Sequence, residues 1–381
     1  MRFSTVCVIG VGLIGGSFAA ACKRLDADIG VLGIDTDTAA LALAAERGLI
    51  DAGATPDSAR AAGWFSPTGS PDFGAPDLVV LATPAAISED WLGILGAEGY
   101  AGVVTDVAST KRGVQAAASA LCADAAFVGG HPMAGSEASG VAAARADLFD
   151  GAYYVLTPAS DTDMDAYRRL HSFIGSLGAR VISVDASAHD EAVAIISHVP
   201  HVTASALVDL AKAHAGEGDE LLRLAAGGFK DTTRIAAGSP DLWTGICLDN
   251  AEALAEGIDE LRDVLGGFAQ MVRARDAEGV RAWLAHAADV RRALPSQWVP
   301  ATEQLTELII PVIDRPGVVS EVTTAVGRAG CNIEAIEIDH QSEDTALLVL
   351  VLTDEGHIER LVADLSSRGY EPRVRPLEPS E

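Results

Sequence analysis

A glycine-rich turn near the beginning of the chain constrains its fold more than any other feature. Residues 10–15 read GVGLIG, follow the apolar run 6–9 and precede a segment with helical spacing. Further short apolar runs alternate with helix-length segments, one of which ends at Gly48 as a helix C-cap requires. These runs are residues 31–34, 78–81, 103–105, 127–128, 154–156 and 181–184. The alternation predicts an α/β fold with a mostly parallel, doubly wound sheet.

The rest of the chain shows two other patterns. After about residue 187 the strand signals vanish, and stretches such as 251–264 and 280–294 predict an all-helical domain. Beyond a proline-bounded break, the order of apolar runs predicts a βαββαβ, ferredoxin-like unit. We therefore predict a Rossmann-like domain over 1–186, a helical domain over 187–296 that serves substrate binding and dimerisation, and a small regulatory domain over 297–381.

Composition narrows the class of partner. The 381 residues include 54 acids against 27 Lys plus Arg, and the net charge of −27 repels nucleic acids and anionic membranes. A small molecule is the expected ligand, and an anionic one would need locally concentrated positive charge. The five cysteines are scattered without metal-site or disulfide spacing. Because we find no signal peptide and no apolar stretch long enough to span a bilayer, we expect a cytoplasmic protein.

The glycine turn and the acid after it predict a dinucleotide site. The glycines permit a tight turn and let backbone N–H groups approach a pyrophosphate at a helix N-terminus. Asp35 ends the next apolar run, where a carboxylate can bond ribose hydroxyls. The same carboxylate would repel a 2′-phosphate, so we expect NAD rather than NADP. The predicted cofactor contacts are Gly10, Gly12, Leu13, Ile14, Gly15, Asp35 and Thr83.

A second glycine-rich stretch, GGHPMAGSE at residues 129–137, carries the candidate base. His131 lies just beyond the predicted strand 127–128, at the strand edge where ligands bind in open α/β sheets. A neutral imidazole can remove a hydroxyl proton while a nicotinamide takes hydride from the same carbon. Ser109 places a hydroxyl at this edge, although it or Thr110 could instead cap a helix.

Two motifs further along supply candidate binding groups. His198 and His201 lie three residues apart on one helix face, and Pro200 disturbs the hydrogen bonding of that helix. Acidic or cysteine ligands at matching spacing do not accompany them, so we expect them to line a cleft and predict no metal site. Arg234 can grip a carboxylate through two hydrogen bonds, or can pair with Asp231 on the same helix.

Five motifs in this order resemble the prephenate dehydrogenase family of tyrosine biosynthesis. They are residues 10–17 (GVGLIGGS), 105–111 (TDVASTK), 130–137 (GHPMAGSE), 197–201 (SHVPH) and 229–240 (FKDTTRIAAGSP). The resemblance implies NAD-dependent oxidative decarboxylation of prephenate to 4-hydroxyphenylpyruvate, with release of carbon dioxide. It implies that His131 accepts the ring hydroxyl proton, that Ser109 orients that hydroxyl or the imidazole, and that Arg234 holds the side-chain carboxylate. The remaining substrate contacts would be His198, His201, Ser136 and Glu137.

The resemblance leaves the role of two lysines open. Lys111 and Lys230 either contribute positive potential to the site or are solvated surface residues. The C-terminal unit resembles an ACT domain, an amino-acid-binding module, through residues 314–319 and 330–333. This second resemblance implies effector contacts at Gly317, Asn332 and Ile333, and feedback control of a homodimer, for example by tyrosine.

Three other functions compete with this interpretation. Arogenate dehydrogenase would use the same base and arginine on a substrate that has an amine in place of the side-chain keto group. A phosphoglycerate-type 2-hydroxyacid dehydrogenase can also end in an ACT domain, but its nucleotide fingerprint lies in mid-chain. A non-catalytic amino-acid sensor could keep the nucleotide fold, and the presence of His131, Ser109 and Arg234 argues against it.

Overall fold

In a computed structural model the chain forms two compact units, Met1–Leu265 and Gly266–Glu381. The structure describes residues 3–66, 69, 73–135, 138–159, 161–214, 225–293, 306–313, 315, 318–329, 331, 333–340, 345–352 and 357–376. The domain boundaries at 186/187 and 296/297 stay predictions.

The first unit contains the predicted doubly wound sheet. Its strands, in chain order, are β1 (Thr5–Ile9), β2 (Gly30–Ile34), β3 (Ala52–Ala54), β4 (Leu78–Leu81), β5 (Val103–Asp106), β6 (Ala126–Pro132), β7 (Tyr153–Thr157) and β8 (Arg180–Ser183). They lie in the order β3-β2-β1-β4-β5-β6-β7-β8, and every neighbouring pair is parallel except β6 with β7. Only β3 lacks a sequence signal, because three small residues give no apolar run.

Helices cover both faces of this sheet. They are α1 (Leu13–Leu25), α2 (Thr38–Glu46), α3 (Pro56–Ala61), α4 (Ala85–Ala97), α5 (Arg112–Leu121) and α6 (Met164–Ser176). Strand β1 shows the two-sided burial: Val6 and Val8 pack in one core with Phe18 of α1, whereas Cys7 and Ile9 pack in another. Burial on both faces is why a parallel strand appears in the sequence as a continuous apolar run. The turn after α2 has Gly48 at φ 68°, which confirms the predicted C-cap.

The helical segment that follows begins with α7 (Ala186–Val193), a π-helical turn (Ala194–His198) and α8 (Val199–His214). Pro200 has no N–H to donate, and the wider turn just before it confirms the predicted disturbance. The continuous run Ala186–His214 is long and apolar enough to cross a membrane by length and composition, so the prediction that no stretch reaches this length is wrong. The core helix of a soluble protein can have the same length and composition, and about a third of the most apolar stretch of this run is buried inside the structure.

The remaining helices are α9 (Gly227–Thr233), α10 (Pro240–Asp249), α11 (Ala251–Ala274) and α12 (Ala277–Ala293), with a 3₁₀ turn at Arg234–Ala237. The second unit then adds β9 (Thr306–Ile313), α13 (Val318–Arg328), β10 (Ile333–His340), β11 (Thr345–Leu352), α14 (Ile358–Ser367) and β12 (Arg373–Pro376). Its sheet has the order β10-β11-β9-β12 with antiparallel neighbours throughout. This arrangement confirms the predicted βαββαβ unit.

Candidate active site

The glycine turn joins β1 to α1 at the carboxyl edge of the sheet. Gly10 has φ 93°, and a Cβ at this position would lie 2.4 Å from the carbonyl oxygen of Ala82, so only glycine fits. Gly12 is the N-cap of α1 and faces open space, while Leu13, Ile14 and Gly15 form the first helical turn. The free backbone N–H groups of this turn can therefore meet an anionic group. Thr83, after β4, lies beside Gly10 and bonds Ser88 through its hydroxyl at 2.9 Å.

Asp35 is held between the glycine turn and the start of α2. One carboxylate oxygen accepts the N–H of Val11 at 2.7 Å, and the other accepts the N–H of Asp37 at 2.9 Å. Each oxygen has a second acceptor position left for a hydroxyl group. Asp37 in turn caps α2, so two carboxylates lie at this end of the site. Their charge disfavours a ligand phosphate here.

The sequence predicted that His131 lies beyond the end of this strand, but the structure places it inside β6. The strand continues through Gly129–Pro132 because these residues pair antiparallel with β7, with His131 opposite Val155. A Cβ on Gly130 would lie 2.6 Å from the carbonyl oxygen of Asp106. The glycines thus allow β6 to pass close to β5, and their lack of side chains ended the apolar signal at Val128.

A buried ion pair fixes the peptide that precedes His131. The Lys111 ammonium bonds the Asp106 carboxylate, and both side chains are fully buried. Lys111 also donates to the carbonyl of Gly130 at 2.6 Å, and Asp106 accepts the Gly130 N–H at 2.9 Å. Burial lowers the pKa of Lys111, although Asp106 opposes this shift. The interpretation of Lys111 as a solvated surface residue is therefore wrong, whereas its charge contributes positive potential near His131.

His131 is the first member of a hydrogen-bonded chain that the sequence analysis missed. Its Nδ1 lies 2.9 Å from Nε2 of His189, and Nδ1 of His189 lies 2.8 Å from Oδ1 of Asp190. His189 and Asp190 are buried at the start of the helical segment. Burial lowers the pKa of His131 well below its ordinary value, and the positive charge of Lys111 lowers it further. The available signal was the His-Asp dipeptide at residues 189–190.

Asp190 also caps α5 from outside. Its two carboxylate oxygens accept the backbone N–H groups of Lys111 at 2.8 Å and Arg112 at 2.9 Å. Burial opposes the charge of Asp190, but hydrogen bonds from His189 and these N–H groups outweigh it, so the pKa of Asp190 lies below its usual range. The N-cap of α5 is Lys111, whose side chain makes no capping hydrogen bond. The alternative in which Ser109 or Thr110 caps α5 is therefore wrong.

Three of the predicted site residues meet in a cavity of about 350 Å³ at this edge of the sheet. Its volume falls within the range of about 300–1,000 Å³ that is usual for small-molecule sites. The described residues that line it are Ser109, His131, Pro132, Met133, Ala134, Gly135, Ser197, His198, Leu242, Trp243 and Ile246. The structure therefore brings Ser109, His131 and His198 together, and it adds Trp243, which the sequence analysis missed.

Trp243 organises the two histidines of the SHVPH motif. His201 stacks on its ring at 3.5 Å between centroids, and His198 meets it edge-on at 6.0 Å. Burial lowers the pKa of both histidines. His201 is buried behind Trp243, and its Nε2 has no hydrogen-bond partner among the described residues. Within the part of the chain that the structure describes, no group of three or more metal-ligating side chains occurs.

Other predicted residues lie elsewhere. Arg234 is exposed on the 3₁₀ turn after α9 and is not among the described residues that line the cavity. Ser136, Glu137, Gly317 and Asn332 lie outside the described residues. Ile333 is the first residue of β10.

A larger cavity, of about 480 Å³, lies at the opposite edge of the sheet. It is lined by residues at the amino ends of β4, β5 and β6, such as Asp77 and Val103, together with Arg169 of α6. Ligands of open α/β sheets bind at the carboxyl ends of the strands. The smaller cavity, which contains His131, is therefore the candidate active site.

Comparison with known proteins gives matches in three successive regions of the chain. Residues 18–183 match the prephenate dehydrogenase nucleotide-binding domain, and residues 185–286 match the prephenate dehydrogenase dimerization domain. Residues 306–369 match the ACT domain. The prephenate dehydrogenase of Bacillus subtilis is 35% identical over 348 residues, which cover 89% of each chain.

Two solved structures share the fold. Prephenate dehydrogenase from A. aeolicus, in complex with hydroxyphenyl propionate and NAD⁺, is 28% identical with a TM-score of 0.69, over 77% of this chain and 99% of that one. Synechocystis arogenate dehydrogenase is 30% identical with a TM-score of 0.64, over 76% and 99%. These matches confirm the resemblance first noted in the five motifs. The chain belongs to the prephenate dehydrogenase family.

Proposed function

We propose that this protein converts prephenate to 4-hydroxyphenylpyruvate and carbon dioxide, with NAD as the hydride acceptor. The observation that carries the proposal is the cavity in which His131, Ser109 and His198 meet. Because its pKa is lowered by burial, His131 is neutral near pH 7 and can accept a proton. Family membership supports prephenate as the substrate.

The residues of the cavity supply the proton chemistry. His131 accepts the proton of the ring hydroxyl, and Ser109 orients that hydroxyl or the imidazole. The C–H bond at the same carbon breaks, and NAD, when bound, takes the hydride. The ring carboxylate leaves as carbon dioxide, the electrons of its bond complete the aromatic ring, and the phenolate oxygen takes back a proton. His131 carries that proton between the two steps.

The first turn of α1 and Asp35 fit the chemistry of NAD. The N–H groups near Gly12 suit a pyrophosphate, and the open acceptor positions of Asp35 suit ribose hydroxyls. We assign the adjoining cofactor contacts to Gly10, Leu13, Ile14, Gly15 and Thr83. The paired carboxylates of Asp35 and Asp37 favour NAD over NADP, because they would repel a 2′-phosphate.

Substrate binding is assigned by motif and by position. We assign the side-chain carboxylate of prephenate to Arg234, since guanidinium groups bind carboxylates through two parallel hydrogen bonds. His198 lines the cavity, and His201 supports it through Trp243. Ser136 and Glu137 follow His131 in the same motif and complete the proposed set.

The test is NADH formation by the purified protein, given NAD with prephenate and, in parallel, with arogenate. We expect turnover on prephenate, and the His131→Asn variant as the matched control should lose it while still binding NAD. Absence of turnover on both substrates, by folded protein that binds NAD, would refute the proposal. A preference for arogenate would change the assigned substrate but not the proposed mechanism. Arogenate oxidation is the second candidate function because the chain is similar to Synechocystis arogenate dehydrogenase.

Assembly and control are further parts of this proposal. The matched dimerization domain and the exposed apolar side chains of α10 and α11, such as Leu248 and Leu265, support a homodimer. The ACT domain supports control by an amino acid such as tyrosine, bound near Gly317, Asn332 and Ile333. Titration with each aromatic amino acid checks this, and an unchanged activity and melting temperature with all of them would contradict it. We also infer a cytoplasmic location, as for a soluble biosynthetic enzyme.

A further inference from the structure

His131 and His189 share one hydrogen bond, and its direction decides which nitrogen of His131 can act as a base. The two ring nitrogens, Nδ1 of His131 and Nε2 of His189, are 2.9 Å apart, so a single proton lies between them. If His131 donates, its Nε2 keeps a lone pair for a substrate proton. If His189 donates, Nε2 of His131 carries hydrogen and cannot accept one.

Asp190 settles this direction. A carboxylate accepts hydrogen bonds and donates none, so the 2.8 Å contact places a hydrogen on Nδ1 of His189. A neutral His189 then has no hydrogen on Nε2 and must accept from Nδ1 of His131. The chain of contacts is therefore consistent with one arrangement of protons.

The surroundings of Asp190 keep it ionised. Besides His189, it accepts two backbone N–H groups at the N-terminus of α5, where the helix dipole favours negative charge. The guanidinium of Arg112 lies 3.4 Å from the carboxylate, and Asn250 donates to the Asp190 carbonyl at 2.7 Å. With the residue fully buried, these contacts fix its position as well as its charge.

We propose that His189 and Asp190 are positioning residues, which hold His131 in the Nδ1–H tautomer and so leave Nε2 as the proton acceptor. The proposal deepens the proposed function and rests on it for the kinetic part only. When His131 takes the substrate proton, the same contacts place a negative charge two hydrogen bonds away from the imidazolium. A free imidazole, in contrast, exchanges between two tautomers, and only one of them is a base at Nε2.

The kinetic test compares two substitutions of His189. His189→Phe fills the space without an acceptor, and we expect kcat to fall about 100-fold, within the range of about 10²–10⁴ for general base catalysis. KM for prephenate should stay within about threefold, since the residue does not line the cavity. His189→Gln restores an acceptor for Nδ1 of His131, and its kcat should be at least about tenfold higher than that of His189→Phe. A purely structural role would not distinguish the two in this way.

The matched control is His214→Phe, in an exposed histidine of the last turn of α8, which should leave kcat unchanged. Melting temperature and NAD binding check that each variant is folded. If His189→Phe does not fold, the kcat of His189→Gln and the tautomer measurement below test the proposal instead. Equal kcat in the Phe and Gln variants, or a loss below about threefold in His189→Phe, would overturn the proposal.

The tautomer can be observed without turnover. In protein labelled with ¹⁵N-histidine, long-range ¹⁵N–¹H correlations distinguish the Nδ1–H form from the Nε2–H form, and the His131→Asn variant identifies the resonance of His131. We expect Nδ1–H in the native protein and in His189→Gln, and a loss of this preference in His189→Phe, which has no acceptor. An Nε2–H form in the native protein would refute the proposal even if prephenate is the substrate. Conversely, Nδ1–H in an enzyme inactive on prephenate would refute only the proposed function.

Discussion

Replacement of Lys111 by methionine should expose the energetic role of the buried ion pair. Methionine keeps an unbranched apolar side chain of similar length and removes the ammonium group. The native ammonium is fully buried and bonds both Asp106 and the Gly130 carbonyl. The variant therefore leaves a fully buried carboxylate without its counter-charge.

The expected loss in the free energy of unfolding depends on the hydrogen bonds that Asp106 keeps in the variant. Removal of one partner from a buried pair costs about 3–5 kcal/mol. Asp106 retains the N–H groups of Gly130 at 2.9 Å and Ala108 at 3.0 Å, so we expect the lower end of this range. A loss of about 3 kcal/mol reduces the ratio of folded to unfolded protein roughly 150-fold. In the double variant Lys111→Met/Asp106→Asn neither side chain of the pair is charged, and about 1–2 kcal/mol of the free energy of unfolding should return.

Urea unfolding, followed by the fluorescence of the buried Trp64 and Trp91 of the first unit, measures these differences. Lys230→Met is the matched control, since Lys230 is exposed on α9, and it should change the free energy of unfolding by no more than about 0.5 kcal/mol. A loss below about 1 kcal/mol in Lys111→Met, or a double variant no more stable than the single one, would refute the reasoning.

Three further outcomes can be measured. Because the pKa of His131 lies well below its ordinary value, kcat/KM for prephenate should stay constant as pH falls through about 6.5, and drop only at lower pH where the imidazole protonates. A drop centred at or above that pH would contradict this. Gly130→Ala should lower the melting temperature and kcat together, since its Cβ would meet the Asp106 carbonyl at 2.6 Å; unchanged kinetics would argue against the close approach. His131→Asn should lose turnover with prephenate binding retained, whereas Arg234→Gln should mainly raise KM; full activity in either variant would remove that assignment.

The fold was predictable from local sequence because its signals are local. Buried parallel strands give continuous apolar runs, and the turn at Gly10 needs a residue that tolerates φ 93°. The length of β6 was not predictable, because its pairing with Thr157 and its neighbours involves a strand about 25 residues away. The motif residues His131, Ser109 and His198 were predicted to lie together, and they do line one cavity.

What the sequence could not reveal depends on tertiary pairing. The sequence did not show that Lys111 is buried, because only the folded sheet brings it under Gly130. His189 and Asp190 were not selected, since they reach His131 and Lys111 across 58 and 79 residues of chain. Both residues act through contacts between the helical segment and the sheet edge, and such contacts leave no pattern of residue spacing within either segment.

The buried charges also indicate where an anionic substrate is recognised. Lys111 is neutralised by Asp106, and Arg112 faces Asp190, so the cations after β5 serve the fold and the His131 chain. In a protein of net charge −27, the charge of a dianion must then be met by cations from other elements. The motif on α9 and the turn after it carries two exposed ones, Lys230 and Arg234. The sheet edge would thus provide the base, and α9 with the turn after it would provide the anion contacts, which is why His131→Asn should lower kcat whereas Arg234→Gln should raise KM.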